Sequence, residues 1–298
     1  MTAILVGTSG WSYPTGKGRW NGAVYPRRWS GDELAYYAER FPAVEVNTTF
    51  YRLPPRDTVR QWIARTPQSF RFAVKLFMKY THPEFYARHT GESPELTEGD
   101  LLGMRAVLDT LAGEGRLAAL LVQYAESFTR TPAHVERLTR TLDRFRAYPL
   151  AVELRHPSWQ VEDTRALLRD YHAAFTRIDE PFFSNLDEPS APEASLQYWR
   201  FHGRNRAQWR ARGAGELRYD YLYDDGEIAD FVDAVTRHRS GARPNLLFFN
   251  NHVAGKAVAN ALMLAAGLKL PLDYAKWAHM TARYPQLAPI TGGEPRLF

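Results

Sequence analysis

Eight short apolar segments recur along the chain, each six to nine residues long and rich in aliphatic, aromatic and β-branched side chains. Segments of this length and composition are typical of buried β-strands. Between most of them, apolar residues recur at the three- and four-residue spacing of an amphipathic helix. The predicted strands are residues 4–9, 43–51, 71–77, 117–124, 150–156, 173–179, 196–203 and 244–252.

Helix start signals support this alternation. Ser30-Gly31-Asp32 precedes the helical pattern ELAYYAERF, and Thr131-Pro132 precedes AHVERLTRTLDRF. Eight strand–helix units favour an α/β fold of the closed (β/α)₈ TIM-barrel type, formed by residues 1–298 as a single domain. An open doubly wound sheet, which commonly has about five or six strands, is the alternative.

Three connections are longer than the others, and each follows a predicted strand. They are residues 10–30, 78–100 and 180–195. Barrel enzymes place their sites in the loops at the carboxyl ends of the strands, so we expect the site at this mouth. Residues 180–195 contain no convincing full helix and are expected to be irregular.

Charged side chains interrupt strands that a parallel barrel would bury on both faces. Because successive side chains alternate between faces, Glu153 shares a face with Arg155, and Arg200 with His202. A buried charge is costly unless it pairs, binds an ion or reaches water. Lys75 is the clearest case, because the chain has only six lysines and this one interrupts an apolar strand.

Two interpretations of these charges are open. Glu45, Lys75, Glu153 and Arg155 would form either an internal ion-pair network that fixes strand register or part of a functional site. Most of the polar residues lie late in their strands, where barrel active sites assemble. Their convergence on one mouth therefore favours function.

Aromatic and histidine residues extend the candidate site. Trp11, Tyr13, Tyr25 and Tyr51 would wall a pocket or stack on a flat ligand. His156, His202 and His252 fall at the ends of strands, where Glu45, Glu153 or Asp179 would complete a metal site. The spacing matches no HExxH or other short ligand motif, so no metal ligand is assigned. The glycine-rich segments lack the spacing of nucleotide-binding loops, so no cofactor is indicated.

Composition restricts the function further. The absence of cysteine excludes disulfides, thiolate metal sites and cysteine nucleophiles. A formal charge of +5 and a pI near 9.3 mildly favour an acidic partner, such as a phosphate ester or nucleic acid. No apolar stretch is long enough for a membrane span, and no basic region precedes the first apolar run, so we expect a cytoplasmic protein without a membrane partner.

Several longer motifs carry a family resemblance. Together they resemble the YecE-like family, a domain of unknown function (number 72), in order from near the first residue to about residue 265. The resemblance implies a TIM-type barrel and no established activity. The motifs are GTSGWSY (7–13), EVNTTFYRLP (45–54), FAVKLF followed by TH (72–82), VELRHPSW (152–159), RFHGR (200–204) and FFNNHVAGKAVANA (248–261).

The resemblance also implies a characteristic polar set, which largely coincides with the residues found by strand alternation. Two departures alter loops at the expected mouth: Tyr124-Ala125 stands where Leu-Pro is expected, and PTGKGR at 14–19 resembles an insertion. The implied set is Glu45, Asn47, Tyr51, Lys75, Gln123, Glu153, Arg155, His156, Arg200, His202, Asn250 and Asn251.

These residues predict an enzyme of the hydrolase or lyase class that acts on an anionic small molecule, with phosphorylated compounds among the candidates. Lys75, Arg155 and Arg200 would hold the anion. Either Glu153 or Glu45 would be the general base, and His202 or His156 would carry a proton. The remaining substrate-binding candidates are Trp11, Asn47, Tyr51, Gln123, Asn250 and Asn251.

Two other functions remain open from the sequence. One is metal-dependent phosphodiester cleavage on nucleic acid, by analogy with barrels that resemble endonuclease IV. The other is a non-enzymatic binding protein that uses its aromatic loops. The sequence does not indicate an oligomeric state.

Overall fold

Strands and helices alternate along the chain, as the hydrophobic pattern predicts. The computed structural model describes residues 3–16, 18–188, 193–239 and 243–292. Within these ranges the strands are β1 Ile4–Thr8, β2 Ala43–Val46, β3 Arg71–Lys75, β4 Leu117–Gln123, β5 Leu150–Glu153, β6 Ala174–Phe175, β7 Arg177–Glu180, β8 Phe183–Ser184, β9 Gln197–Phe201 and β10 Asn245–Phe249.

The helices of the described ranges cover the segments between the strands. They are α1 Glu33–Ala38, α2 Thr48–Tyr51, α3 Arg56–Ala64, α4 Met78–Thr81, α5 Pro83–Thr90, α6 Glu98–Gly113, α7 Pro132–Phe145, α8 Glu162–Asp170, α9 Arg206–Trp209, α10 Asp225–His238, α11 Lys256–Gly267 and α12 Ala288–Thr291. Short 3₁₀ helices lie at Pro157–Trp159, Gly215–Tyr219, Val253–Gly255, Tyr274–Ala282 and Pro285–Leu287.

The strands form two five-stranded sheets, in the orders β1-β10-β9-β7-β8 and β2-β3-β4-β5-β6. All strand pairs are parallel except the β7–β8 hairpin. The structure therefore confirms a mixed α/β fold with parallel sheets. The sheets adjoin at β1 and β2, where Ser9 bridges to Glu45 and the Gly10 N–H donates to the Glu45 carbonyl at 2.8 Å. At the other side, only Thr176 separates β6 from β7.

Both sheets contribute side chains to one inner apolar cluster. Strands β2 to β6 contribute mainly alanine, whereas β9 and β10 contribute larger side chains. Small residues opposite large ones fill an enclosed space at the density of a protein interior. The cluster includes Ala43, Ala73, Ala119, Leu121, Ala151 and Ala174 from one sheet, and Tyr198, Leu246 and Phe248 from the other.

The predicted helix starts are confirmed at α1 and α7. The Asp32 carboxylate accepts from the backbone N–H of Leu34 at 3.0 Å, and the Thr131 hydroxyl accepts from that of His134 at 3.2 Å. Pro132 occupies the first turn of α7, where a missing N–H costs nothing. These caps satisfy backbone donors that the first helical turn leaves unpaired.

Every predicted strand extends beyond the strand in the structure, and two of the predictions differ most from it. The strand expected at 43–51 ends at Val46, and Thr48–Tyr51 is helical. The Thr49 hydroxyl donates to the carbonyls of Val46 and Lys75 at 3.1 and 2.7 Å, which holds this turn against β3. The strand expected at 173–179 is divided at Thr176 into β6 and β7, which belong to different sheets.

The long connections differ in character. Residues 78–100 contain the short helices α4 and α5, whereas residues 180–188 contain the β7–β8 hairpin and no helix. Residues 189–192 of the expected irregular connection, and Lys17 of the segment 14–19, lie outside the described residues. In the described ranges, no helix combines the length and the apolar character needed to cross a membrane.

Candidate functional site

Arg200, on β9, lies between two buried carboxylates from the other sheet. Its Nε and Nη2 donate to the two oxygens of Glu45 at 2.8 and 2.7 Å, and its Nη1 donates to Glu153 Oε2 at 2.7 Å. The Tyr198 hydroxyl also donates to Glu45, at 2.7 Å. The Arg200 side chain is 1% exposed and both carboxylates are fully buried. Residues from β2, β5 and β9 therefore meet inside the protein, as strand alternation predicts.

Arg155 extends this arrangement toward solvent. Its Nε donates to Glu153 Oε1 at 2.6 Å, and its Nη1 lies 3.4 Å from Glu180 Oε2. Glu180 is buried, yet its Oε2 accepts no hydrogen bond from the described residues. The Arg155 side chain is 13% exposed, so the arrangement is closed at Arg200 and reaches water at Arg155.

His202 completes the inner network, which we define as Glu45, Glu153, Arg155, Glu180, Tyr198, Arg200 and His202. The buried His202 ring places Nε2 3.1 Å from Arg155 Nη2 and Nδ1 3.0 Å from Asn250 Nδ2. Burial, and then the charges of Arg155 and Arg200, lower the pKa of His202 to about 3. The imidazole is therefore neutral at pH 7.

The central ion pairs are held in their charged forms. Burial raises the pKa of the Glu153 carboxyl, but Arg155 and Arg200 outweigh it and lower that pKa well below the ordinary value. Burial likewise lowers the pKa of Arg200, and Glu153 and Glu45 outweigh it and raise that pKa. A buried guanidinium between two carboxylates is stable only with this full set of partners. The centre of the network is therefore a fixed charged framework.

Lys75, at the end of β3, differs from this framework. Its partly exposed side chain places Nζ 4.0 Å from the centre of the Phe50 ring, and it forms no hydrogen bond or ion pair within the described part of the chain. Burial, followed by Arg200, lowers the pKa of Lys75 to about 7, although Glu153 opposes the shift. A neutral amine is therefore substantially populated at pH 7.

Glu180 is the second group poised near neutrality. Burial raises the pKa of its carboxyl to about 7, and Arg155 only partly opposes this. Perturbed groups that exchange protons near pH 7 are common in active sites, since a general acid or base works best near its own pKa. Lys75 and Glu180 therefore give the site acid–base capacity that its central ion pairs lack.

Four further candidates lie around the carboxyl ends of the strands. Gln123 ends β4 and donates to the Tyr124 carbonyl at 2.9 Å. Asn47 follows β2, and its buried Oδ1 accepts no hydrogen bond from the described residues. Trp11 packs edge-on against Trp62 at 5.8 Å between ring centres. Tyr51 is 55% exposed. None of these four side chains takes part in the described hydrogen bonds of the network.

Two predicted site residues form hydrogen bonds to nearby loops. His156 Nδ1 lies 2.9 Å from the Ser158 hydroxyl and 3.1 Å from its backbone nitrogen, which caps the turn at Pro157–Trp159. Asn251 Nδ2 donates to the Tyr221 carbonyl and to Asn260 Oδ1, both at 2.8 Å. Among the described contacts, neither side chain bonds to the inner network.

Sequence reasoning missed three residues of the site. Glu180 follows Asp179 at the end of a predicted strand, and Tyr198 shares the alternation of Arg200 and His202, so both carried a signal. Tyr219 did not, because it lies in the 3₁₀ helix Gly215–Tyr219. Its ring centre is 6.4 Å from that of His202 and 5.4 Å from that of His252.

The donor set of the site does not fit a metal ion. No group of three or more histidine, aspartate or glutamate side chains has a metal-binding arrangement in the described ranges. The Glu45 and Glu153 oxygens instead accept hydrogen bonds from Arg155, Tyr198 and Arg200. Both carboxylates are thus already paired with guanidinium cations, which would repel a metal ion.

The parallel sheets, and a polar network at their carboxyl ends, define an α/β protein with a candidate functional site. Residues 5–283 match the family described as "Protein of unknown function DUF72", and the chain belongs to this family. The resemblance found in the sequence motifs is thereby confirmed.

Curated relatives are similar over much or part of the chain. The UPF0759 protein YunF of Bacillus subtilis (strain 168) is 26% identical over 269 residues, which cover 86% of this chain and 92% of YunF. The UPF0759 protein YecE of Escherichia coli (strain K12) is 28% identical over 174 residues, which cover 57% and 55% of the two chains. Neither name assigns an activity.

Solved structures of DUF72 family proteins have the same fold. The protein from Thermotoga maritima MSB8 is 32% identical, with a TM-score of 0.72, and the match covers 90% of this chain and 99% of that one. A protein from Enterococcus faecalis V583 is 28% identical, also with a TM-score of 0.72, and the match covers 91% and 97%. The fold is therefore common to the family.

Proposed function

We propose that the chain is an enzyme of the hydrolase or lyase class that acts on an anionic small molecule, such as a phosphate ester. The observation that carries this proposal is the Lys75 amine, which has no carboxylate partner among the described residues although it lies beside a dense ion-pair network. A partly exposed lysine without a carboxylate partner, beside such a network, is a place for a ligand anion.

We also propose that the two sheets close into one (β/α)₈ barrel within a single domain, residues 1–298. The contacts between β1 and β2, the short step from β6 to β7 and the shared inner cluster support this. In such a barrel, Lys75, Arg155 and Glu180 lie at the carboxyl-terminal mouth, the usual site of catalysis. A cytoplasmic location remains a prediction from the sequence.

The geometry favours a different division of roles from the one that sequence motifs suggest. Arg200 is saturated by Glu45 and Glu153, so we assign it to positioning these groups rather than to holding the anion. Glu153 is a weak base because its pKa is strongly lowered. Lys75 and Arg155, which both reach solvent, would bind the anion, and Glu180 would exchange the proton.

An anionic ligand would change the ionisation of Lys75. Lys75 and Glu180 both exchange a proton near pH 7, so the charge of the free site changes with pH in this range. An anion beside Lys75 would favour the ammonium form and raise its pKa. Binding would then replace the missing carboxylate partner.

The test compares Lys75→Met with Lys79→Met. Lys79 is buried and pairs with Asp100 at 2.9 Å, so it provides a matched lysine outside the site. Inorganic phosphate and simple phosphate esters should raise the Tm of the unchanged protein and of Lys79→Met, but not that of Lys75→Met. Circular dichroism should show a folded Lys75→Met protein. If Lys75→Met does not fold, Lys75 belongs to a structural ion network and the proposal is wrong.

The two other functions drawn from the sequence gain no specific support. Metal-dependent phosphodiester cleavage would require carboxylates that are here bonded to arginine. Metal analysis of the purified protein tests it, and less than about one tenth of an equivalent after gentle purification would count against it. A purely binding role predicts that anions bind without any turnover of their esters.

A further inference from the structure

Lys75 is set apart from the other lysines by its surroundings. Lys79, Lys256 and Lys276 each lie within 4 Å of an aspartate oxygen, in pairs with Asp100, Asp220 and Asp273. Lys269 is exposed on the surface. Lys75 alone among the described lysines is partly buried, unpaired and placed against an aromatic ring. Its amine is therefore free of the carboxylate contact that holds Lys79, Lys256 and Lys276.

We propose that Lys75 is a nucleophile that forms an imine with an anionic aldehyde or ketone. This deepens the proposed function, on which it rests, by naming the substrate class and by favouring the lyase over the hydrolase class. A carboxylate or phosphate on the substrate would bind to Arg155, whose guanidinium is partly exposed. The carbonyl carbon would then lie within reach of Nζ.

The chemistry requires only groups that the site contains. The Nζ lone pair attacks the carbonyl carbon, a C–N bond forms, and a proton passes from nitrogen to the carbonyl oxygen to give a carbinolamine. A second proton, from Glu180 or solvent, converts the hydroxyl into departing water as the C–N bond becomes the iminium double bond. The iminium then accepts electrons from a neighbouring bond of the substrate, which is the basis of lyase chemistry through lysine.

The surroundings of Lys75 suit each stage of this sequence. Arg200 and Arg155 disfavour a third positive charge, so the free amine is available for attack. Phe50 presents its ring at 4.0 Å from Nζ, and an aromatic face also stabilises the cationic iminium. Farther along the inner network, Glu180 lies 3.4 Å from Arg155 and can hold a proton near pH 7.

The experiment traps the imine by reduction. The full-length protein is incubated at neutral pH with glyoxylate, an anionic aldehyde, and sodium cyanoborohydride, and the carboxymethylated lysines are mapped by peptide mass spectrometry. We expect Lys75 to be labelled at least about tenfold faster than any other lysine, because an amine with a lowered pKa has a far larger neutral fraction. Equal labelling of all six lysines, or slower labelling of Lys75, would overturn the proposal.

Two additions separate this proposal from the anion site. Lys75→Arg keeps the positive charge but has no primary amine, so it should lose the fast label and keep its response to phosphate. If this variant fails to fold, the labelling map of the unchanged protein still decides. Inorganic phosphate should slow labelling of Lys75 but not of Lys79. Fast labelling of Lys75 that phosphate does not slow would support the imine and contradict the anion site. A Tm response to phosphate without fast labelling of Lys75 would support the anion site and contradict the imine.

Discussion

Two arginine–carboxylate clusters meet at adjacent residues of one strand. Asp179 and Glu180 end β7, but Asp179 belongs to an outer cluster and Glu180 to the inner network. In the outer cluster, Arg204 donates to both oxygens of Asp179 at 2.8 and 2.9 Å and to Glu227 at 2.9 Å. The hydroxyl of Tyr223 adds a further hydrogen bond to Asp179, at 2.8 Å.

The clusters differ in how completely their charged groups are paired and hydrogen-bonded. Every carboxylate oxygen of the outer cluster accepts a hydrogen bond, including Glu227 Oε2 from the backbone N–H of Asp224 at 3.0 Å. The inner network has saturated ion pairs at its centre but an unbonded oxygen on Glu180 and an unpaired Lys75 beside it. Complete pairing is typical of structural support, and incomplete pairing near solvent is typical of a site that awaits a ligand.

The largest effect should come from the centre of the inner network. Arg200→Met removes the one cation between two fully buried carboxylates, so we expect the free energy of unfolding to fall by about 3–5 kcal/mol. Urea titration measures this loss. A loss below about 1 kcal/mol would show that Arg200 is not needed to stabilise these two buried carboxylates.

An intermediate effect, which depends on pH, is expected at Glu180. Its pKa in the folded protein, about 7, lies above the ordinary 4.5, so the stability it contributes is present below about pH 4.5 and is lost as the pH rises through 7. Glu180→Gln cannot ionise. The free energy of unfolding of the variant, minus that of the unchanged protein, should therefore be about 1–3 kcal/mol larger at about pH 9 than at about pH 5.

Urea midpoints at the two pH values measure this change. Glu227→Gln is the matched control from the outer cluster, because it removes a carboxylate that Arg204 and Tyr221 already satisfy. We expect it to lower stability at both values. A Glu180→Gln difference that stays the same at both pH values would contradict the raised pKa of Glu180.

The smallest effect should come from the outer cluster. Arg204→Met removes a guanidinium that is 35% exposed, so solvent screens much of the interaction with Asp179. We expect a loss of about 1 kcal/mol in the free energy of unfolding and no change in the response to phosphate. A loss as large as that of Arg200→Met would remove the distinction between the clusters.

The sequence predicted the network because charges that interrupt apolar strands carry a strong signal. Lys75, Glu153 and Arg200 were found from alternation alone, and the structure brings them together. The signal failed beyond the strand ends. Thr48–Tyr51 is apolar and β-branched enough to resemble strand, yet tertiary hydrogen bonds from Thr49 hold it as a helical turn.

The sequence also did not reveal the hydrogen-bond partners of the candidate side chains. His156 and Asn251 have the residue types of a site, but their hydrogen bonds to nearby loops are decided only by three-dimensional packing. Glu180 was missed because adjacent acidic residues do not reveal which one faces the interior. Periodicity indicates which face of a strand a side chain occupies. Whether its hydrogen-bonding atoms all find partners depends on the side chains that the fold places around it.

The ionisation of Lys75 tests the central contrast most directly. With six lysines, the protein labelled with ¹³C at lysine Cε should give few enough NMR signals to follow, and Lys75→Arg assigns the one of interest. We predict a titration near pH 7 in the free protein and a higher pKa once inorganic phosphate is added. A Lys75 signal that titrates near the ordinary 10.5 and does not move with phosphate would contradict the account.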